Sequence, residues 1–146
     1  MTMKETDSEK LLKETDAGCK TAVNSIEAVI DRAESEGMHK LLKTSLDTHQ
    51  KLGQEIGDLL REHGDEGKEP NPMARGMAQM KIDMKMMMEN SDHTIATLMM
   101  DGCNMGIQKL SEYMNDYSNA DQKIKDITEK LIDAEQKFMI DLRMYL

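Results

Sequence analysis

The sequence predicts an all-α protein, built as a bundle of four long helices with one extra helix. Three observations support this prediction. Aromatic residues make up only 3% of the 146 residues, while good helix formers such as Lys, Glu, Leu, Met, Ala and Gln dominate. The two prolines, Pro70 and Pro72, lie together in one polar stretch, so proline interrupts the helical pattern at a single place. Elsewhere apolar residues recur at spacings of three, four and seven, which is typical of amphipathic helices.

The first two predicted helices span residues 7–35 and 38–63. Thr6 followed by Glu9 forms a capping-box pattern at the start of the first helix, and Gly37 is expected to end it. The second helix has a long apolar stripe that includes a histidine: Met38, Leu42, Leu46, His49, Leu52, Ile56, Leu59 and Leu60. Both helices are therefore expected to face a common core.

Three more helices are predicted at residues 73–89, 91–116 and 119–145. The first two are separated because one continuous helix would reach about 67 Å at about 1.5 Å per residue, far beyond the ends of its partners. The sequence ENSD before His93 offers a new N-cap, and it produces either a full break or a kink. Asn119 and the glutamine three residues later form a second capping-box pattern for the last helix.

The lengths of the connections predict how the helices are arranged. The first and second helices are joined by a short loop, as are the fourth and fifth, so each pair forms an antiparallel hairpin. About 27 residues separate the second helix from the fourth, which is enough to cross the length of a bundle. Two hairpins joined by one long crossover form the ferritin-like arrangement, with the methionine-rich helix inside the crossover.

Two stretches of the sequence resemble ferritin-like proteins of the rubrerythrin kind. AESEG followed by a helix with a histidine is similar to their first hairpin, and LIDAEQKFMIDLRMYL is similar to their closing helix. Bacterial ferritin-like proteins of unknown function are the nearest group. The resemblance implies a four-helix bundle and, where the ligand set is complete, a di-iron centre held by carboxylates and two Glu-x-x-His motifs.

The sequence breaks this ligand pattern. Glu135 is followed three residues later by Phe138 where the motif needs a histidine, and Leu46 stands three residues before His49 where it needs a carboxylate. His49 is expected to be a buried, hydrogen-bonded histidine, whereas Asp101 and Glu135 are expected to be solvated, and the cysteines to pack as small apolar groups. No catalytic residue, cofactor or intact di-iron site is expected. The alternative is iron or copper bound by some of five candidates: Cys19, His49, Asp101, Cys103 and Glu135.

Seven of the 16 methionines lie in the stretch MARGMAQMKIDMKMMMENSD. Five of them follow the 4, 3, 4, 3 spacing of a heptad seam, which favours a packing face against the bundle: Met73, Met77, Met80, Met84 and Met87. Because thioethers also bind Cu(I), a soft-metal strip is the alternative. Met86 and Met88 fall partly off this seam and predict a second apolar face, and hence a homodimer.

On the helix predicted at residues 91–116, Gly102 and Gly106 predict close approach of a neighbouring helix, with a cavity as the alternative.

Charge and signal patterns exclude several classes of function. The net charge is −9 and basic residues alternate with acidic ones, which argues against binding to nucleic acid or to an anionic membrane surface. No apolar run of about 18 residues occurs, so no membrane span is expected. The stretch MTMKETDSEK lacks the apolar region of a secretory signal, so a cytoplasmic location is expected.

Catalytic motifs such as GxSxG or HExxH are missing from the sequence. We therefore expect a non-catalytic, self-associating bundle with a structural, stress-related or protein-binding role.

Overall fold

The computed structural model describes residues 5–146, and this part of the chain is helical without any strand. Five α-helices are followed by a short 3₁₀ turn at Arg143–Tyr145: α1 Asp7–Ile30, α2 Glu36–Glu62, α3 Pro72–Met88, α4 Asp92–Asp116 and α5 Gln122–Leu142. The predicted all-α class is confirmed. Over the described residues, none of these helices combines the length and the apolar character needed to cross a membrane.

Four of the helices, α1, α2, α4 and α5, pack side by side around a common core, and α3 lies outside them against α1 and α4. The crossover that contains α3 runs along α1, from the first half of that helix to beyond its last residue. In the first half of α1, Asp16 accepts from the backbone amide of Lys68 at 2.9 Å. Beyond the end of α1, Asp92 accepts from the amide of Glu34 at 2.8 Å and from that of Ser35 at 3.1 Å. Since α2 and α4 both begin at this second end, they run in the same direction.

Two apolar clusters fill the bundle, one towards each end. The cluster near the end of α1 includes Ile26, Val29, Met38, Leu42, Ile95 and Leu142. The cluster near the start of α1 includes Leu11, Leu12, Leu52, Ile56, Ile124 and Leu131. His49 and Glu135 lie at the level where the two clusters meet, in the middle of α2 and in the second half of α5. The core therefore has a polar layer at its centre.

The first helix is shorter than predicted. It ends at Ile30, and the residues that follow form a turn tied down by Asp92. Ser35 then caps α2, since its hydroxyl accepts from the Met38 amide at 3.1 Å, and Gly37 lies inside the first turn of α2. A side chain at Gly37 would collide with the Tyr145 hydroxyl. Gly37 thus makes room for the end of the chain and does not terminate α1.

The start of α4 and the start of α5 differ in how they are capped. Ser91 caps α4 by accepting from the Thr94 amide at 3.1 Å, so the chain breaks fully between α3 and α4. The capping box predicted at Asn119 is wrong, because α5 begins at Gln122 without a side-chain cap. The backbone amide of Asn119 donates instead to the Asp7 carboxylate at 3.1 Å. Polar side chains in the first turn of α1 therefore hold the loop that precedes α5.

The predicted packing of the methionine seam on α3 is wrong. The side chains that α3 buries against the bundle are Ile82, 7% exposed, and Met86, 2% exposed. The five seam methionines and Met88 are 59% to 86% exposed: Met73, Met77, Met80, Met84, Met87 and Met88. The heptad spacing correctly placed the five on one face of the helix, but α3 turns that face outward. We call these six side chains the methionine face.

The close helix contact predicted at Gly102 and Gly106 is also wrong. A side chain added at either position would meet no atom within 4 Å, so both glycines face open space. Gly53 on α2 is different, because a side chain there would lie 3.8 Å from the Cys19 sulfur. Small residues at a spacing of four did not identify a helix contact within this chain.

The burial of α3 can be tested with two matched substitutions on the same helix. Met86→Ala should lower the free energy of unfolding by about 2 kcal/mol, because it empties a filled site in the core. Met84→Ala, which trims an exposed side chain, should change it by less than about 0.5 kcal/mol. Urea denaturation followed by circular dichroism measures both. Equal effects of the two substitutions would contradict this orientation of α3.

Candidate functional site

The centre of the bundle holds a histidine whose two ring nitrogens both have partners. His49 on α2 is 0% exposed. Its Nδ1 lies 2.7 Å from the Ser45 carbonyl oxygen one turn earlier, and its Nε2 lies 2.9 Å from Oε1 of Glu135 on α5. Because a carbonyl oxygen can only accept, Nδ1 carries a proton and donates it to Ser45. Neither nitrogen is left free to bind a metal.

The charge state of this pair follows from its surroundings. Burial lowers the pKa of His49, but the hydrogen bond and the charge of Glu135, together with the bond to Ser45, outweigh that effect and raise its pKa above the ordinary 6.5. The contact with Glu135 therefore favours the protonated form of the imidazole. The pair links α2 to α5 across the core. The Phe138 ring packs beside the imidazole in an edge-to-face arrangement, with the ring centroids 6.5 Å apart.

The two cysteines flank this pair from the other two helices. Cys19 on α1 donates its thiol hydrogen to the His49 carbonyl oxygen at 3.2 Å. Burial raises the pKa of Cys19 to about 12. Burial, reinforced by the charge of Glu135, also raises the pKa of Cys103 on α4. Both cysteines are free and buried, so each is a protonated thiol and a poor nucleophile at neutral pH.

The remaining candidates do not complete a metal site. Asp101 lies on α4 with its side chain exposed, away from the buried pair. Glu135 was expected to be solvated, but it is only 6% exposed and the prediction is wrong. Within residues 5–146, no group of three or more His, Cys, Asp or Glu side chains is arranged to hold a metal ion. With both His49 nitrogens engaged and Phe138 at the motif position of the second histidine, the residues present do not fit a di-iron centre.

Other buried polar contacts were missed at the level of sequence. The hydroxyl oxygens of Thr15 on α1 and Thr128 on α5 lie 2.8 Å apart, and each is also within hydrogen-bond distance of a carbonyl oxygen one turn earlier in its own helix. Because each hydroxyl has one proton, two of these three hydrogen bonds form at a time. Asp16 is buried and accepts from Lys20 at 2.8 Å and from the Lys68 amide. A threonine within an apolar stripe is the one sequence signal that could have indicated the contact between Thr15 and Thr128. The contact between Asp16 and Lys68 depends on where the crossover lies and has no local sequence signal.

An open groove of about 780 Å³ runs between α2 and the end of α5. Ser45 and Phe138 line it, and both also contact His49 on their other side. Because His49 is fully buried beneath them, the groove does not reach the imidazole. The polar layer is therefore closed to solvent from this side.

Comparison with known proteins finds no match among family models, curated proteins or solved structures. The function has to be inferred from the chain itself. Two features stand out: the closed polar layer around His49 and Glu135, and the methionine face of α3.

The raised pKa of His49 predicts a specific dependence of stability on pH. A basic group whose pKa is higher in the folded state stabilises the fold fully below its unfolded pKa, near 6.5, and loses this contribution as pH rises through the folded value. The free energy of unfolding should therefore fall as pH increases from 6.5. Glu135→Gln removes the charge of Glu135 and leaves burial, which lowers this pKa, against the smaller raising effect of the Ser45 bond, so this decline above pH 6.5 should disappear.

Urea titrations at a series of pH values above 6.5 measure this effect. Glu55→Gln is the matched control, because Glu55 makes an exposed ion pair with Lys130 at 3.6 Å. The control should keep the decline seen in the unsubstituted protein. A decline of the same size in Glu135→Gln would show that the buried pair does not cause it.

Burial of both thiols predicts low reactivity in the folded protein. A thiol reagent such as dithionitrobenzoate should modify Cys19 and Cys103 only as fast as the protein opens, and both should react at once in denaturant. Absorbance of the released thiolate gives the rate. Fast modification of either cysteine without denaturant would contradict the closed centre.

Proposed function

We propose that the chain is a non-catalytic ferritin-like bundle that associates with a second copy of itself through the methionine face of α3. The arrangement of the helices supports the ferritin-like assignment. Two hairpins, α1 with α2 and α4 with α5, are joined by a crossover that runs along α1 from its first half to beyond its end, so that α2 and α4 are parallel. Bundles with one long crossover have this order.

The buried pair supports a structural role for the centre. In a di-iron bundle the inward carboxylates and histidines are directed at metal ions. Here the Glu135 carboxylate is directed at the His49 imidazole, and the Cys19 thiol donates to the His49 carbonyl oxygen. These contacts satisfy the polar groups of the centre from within the protein. We infer that this layer fixes the packing of the helices and takes no part in catalysis.

The single observation that carries the proposed association is the exposure of six methionines on one face of a 17-residue helix. A contiguous exposed apolar patch is typical of an interaction surface. Methionine side chains are flexible and adapt to a partner surface. Five of the six also follow the spacing by which two helices pack against each other, so a second copy of α3 supplies a matching seam. In a two-fold dimer the same patch is used by both chains.

A cytoplasmic setting remains part of this proposal. Cys19 and Cys103 are free thiols that help to fill the core, and neither pairs with the other in a disulfide. Free structural thiols suit a reducing compartment.

Light scattering coupled to size exclusion tests the proposed association. The protein should elute with twice the 16.6 kDa mass of one chain. A triple variant, Met77→Gln, Met80→Gln and Met84→Gln, should elute as a single chain, because polar amides replace the central part of the apolar face.

The control for this experiment carries Met105→Gln and Met144→Gln, which change two exposed methionines outside α3. It should remain a dimer. Elution of the unsubstituted protein as a monomer at every concentration, or of the triple variant as a dimer, would refute self-association through this face.

A further inference from the structure

We propose that the thioethers of Met77, Met80 and Met84 form a binding site for Cu(I) on the outer side of α3. The site lies on the methionine face, but the proposal goes beyond self-association and does not require it, because one helix supplies all three sulfurs. Thioether sulfur is a soft ligand that selects Cu(I) over hard divalent ions. No electron transfer is involved, since the ion binds in the state in which it is supplied.

The residue type on this face favours a role for sulfur. The chain fills its core mainly with leucine and isoleucine. On α3, every large apolar side chain directed to solvent is a methionine, whereas the side chains directed inward are Ile82 and Met86. Leucine would offer comparable apolar area and is at least as good a helix former. What methionine adds at an exposed position is a sulfur atom on a flexible side chain.

The spacing of the three residues lets their sulfur atoms approach one ion. Met77 and Met80 are three apart, and Met80 and Met84 are four apart, so the three form one row along the helix. Neighbours at these spacings have Cβ atoms about 5–6 Å apart on a helix surface. Each methionine has three rotatable bonds beyond its Cα, so adjacent sulfurs can turn towards a shared ion. The three side chains are 59% to 67% exposed and free to do so.

The surroundings of the row favour a soft ion over a hard one. Asp83 is the one carboxylate within α3, and it is already engaged by Gln79 at 3.0 Å and by Arg32 at 3.5 Å. Hard ions such as Mg²⁺ and Ca²⁺ require several oxygen ligands, which this face does not present. Ile82 and Met86 anchor the opposite side of the helix in the core, so the backbone that carries the thioethers is held in place.

The test is a competition for Cu(I), supplied anaerobically as its acetonitrile complex, between the full chain and the coloured chelator bicinchoninate. The unsubstituted protein should withdraw Cu(I) from the chelator. The triple variant Met77→Leu, Met80→Leu and Met84→Leu keeps the apolar face but lacks the sulfurs, so it should lose this ability. The control Met105→Leu with Met144→Leu removes two exposed thioethers elsewhere and should compete as the unsubstituted protein does.

The buried thiols are the competing explanation for Cu(I) uptake, and a second variant removes them. Cys19→Ala with Cys103→Ala should still withdraw Cu(I), provided that circular dichroism shows an intact helical fold. Ag(I), a stable soft analogue, should shift the ¹³C-methyl signals of Met77, Met80 and Met84 in the unsubstituted protein. This measurement locates the ion even if the cysteine variant does not fold.

Three results would overturn the proposal: no competition by the unsubstituted protein, undiminished competition by the leucine variant, or methyl shifts confined to methionines outside α3. These results are distinguishable from failure of self-association. Leucine preserves the apolar area, so the metal-free mass of the leucine variant reports association alone. A protein that binds Cu(I) as a monomer would support the site and refute the dimer.

Discussion

The contact on which the packing of the bundle depends is the hydrogen bond between His49 and Glu135. It joins α2 to α5 at the level where the two apolar clusters meet. Two buried charges cost several kcal/mol in lost hydration, and they are tolerated because each polar atom finds a partner. Such a pair has one good geometry, so it adds a directional constraint to the close packing of the leucine and isoleucine layers around it. The pair therefore specifies how α2 and α5 align along the bundle axis, and removal of one partner would leave an uncompensated buried charge.

The same contact explains why the side chains at the centre of the bundle are not available as a general base or as metal ligands. A general base or a metal ligand needs a lone pair directed at a substrate or an ion. The His49 ring donates to the Ser45 carbonyl and faces the Glu135 carboxylate, so it has no such lone pair to offer. The thiols stay protonated for the same reason that the pair is stable, because burial and the Glu135 charge both oppose formation of a thiolate. Chemistry or binding by this chain is therefore to be sought on its surface.

Sequence periodicity predicted the helices and the inward stripe of α2, because regular spacing reports which residues share a face. It could not predict how α3 is oriented. The methionine seam and the narrow strip of Ile82 and Met86 are both apolar, so either could face the bundle. Which of the two is buried depends on how α3 packs against α1 and α4. Likewise the burial of Glu135 depends on a histidine 86 residues earlier in the chain, a distance that local patterns do not cover. The boundary at Ile30 was missed because the turn after it is stabilised by Asp92, from another helix.

The orientation of α3 also couples its stability to whatever binds it. A free helix of about 17 residues is marginal in water, so α3 depends on tertiary contacts. It has a good start, since Asn71 caps it and Pro72 occupies the first turn, but only Ile82 and Met86 enter the core. A ligand that binds the methionine face of the folded helix and not the unfolded segment adds its binding free energy to the stability of α3. Whether that ligand is a second chain or a soft ion, its binding adds to the stability of the crossover, the segment that connects the two hairpins.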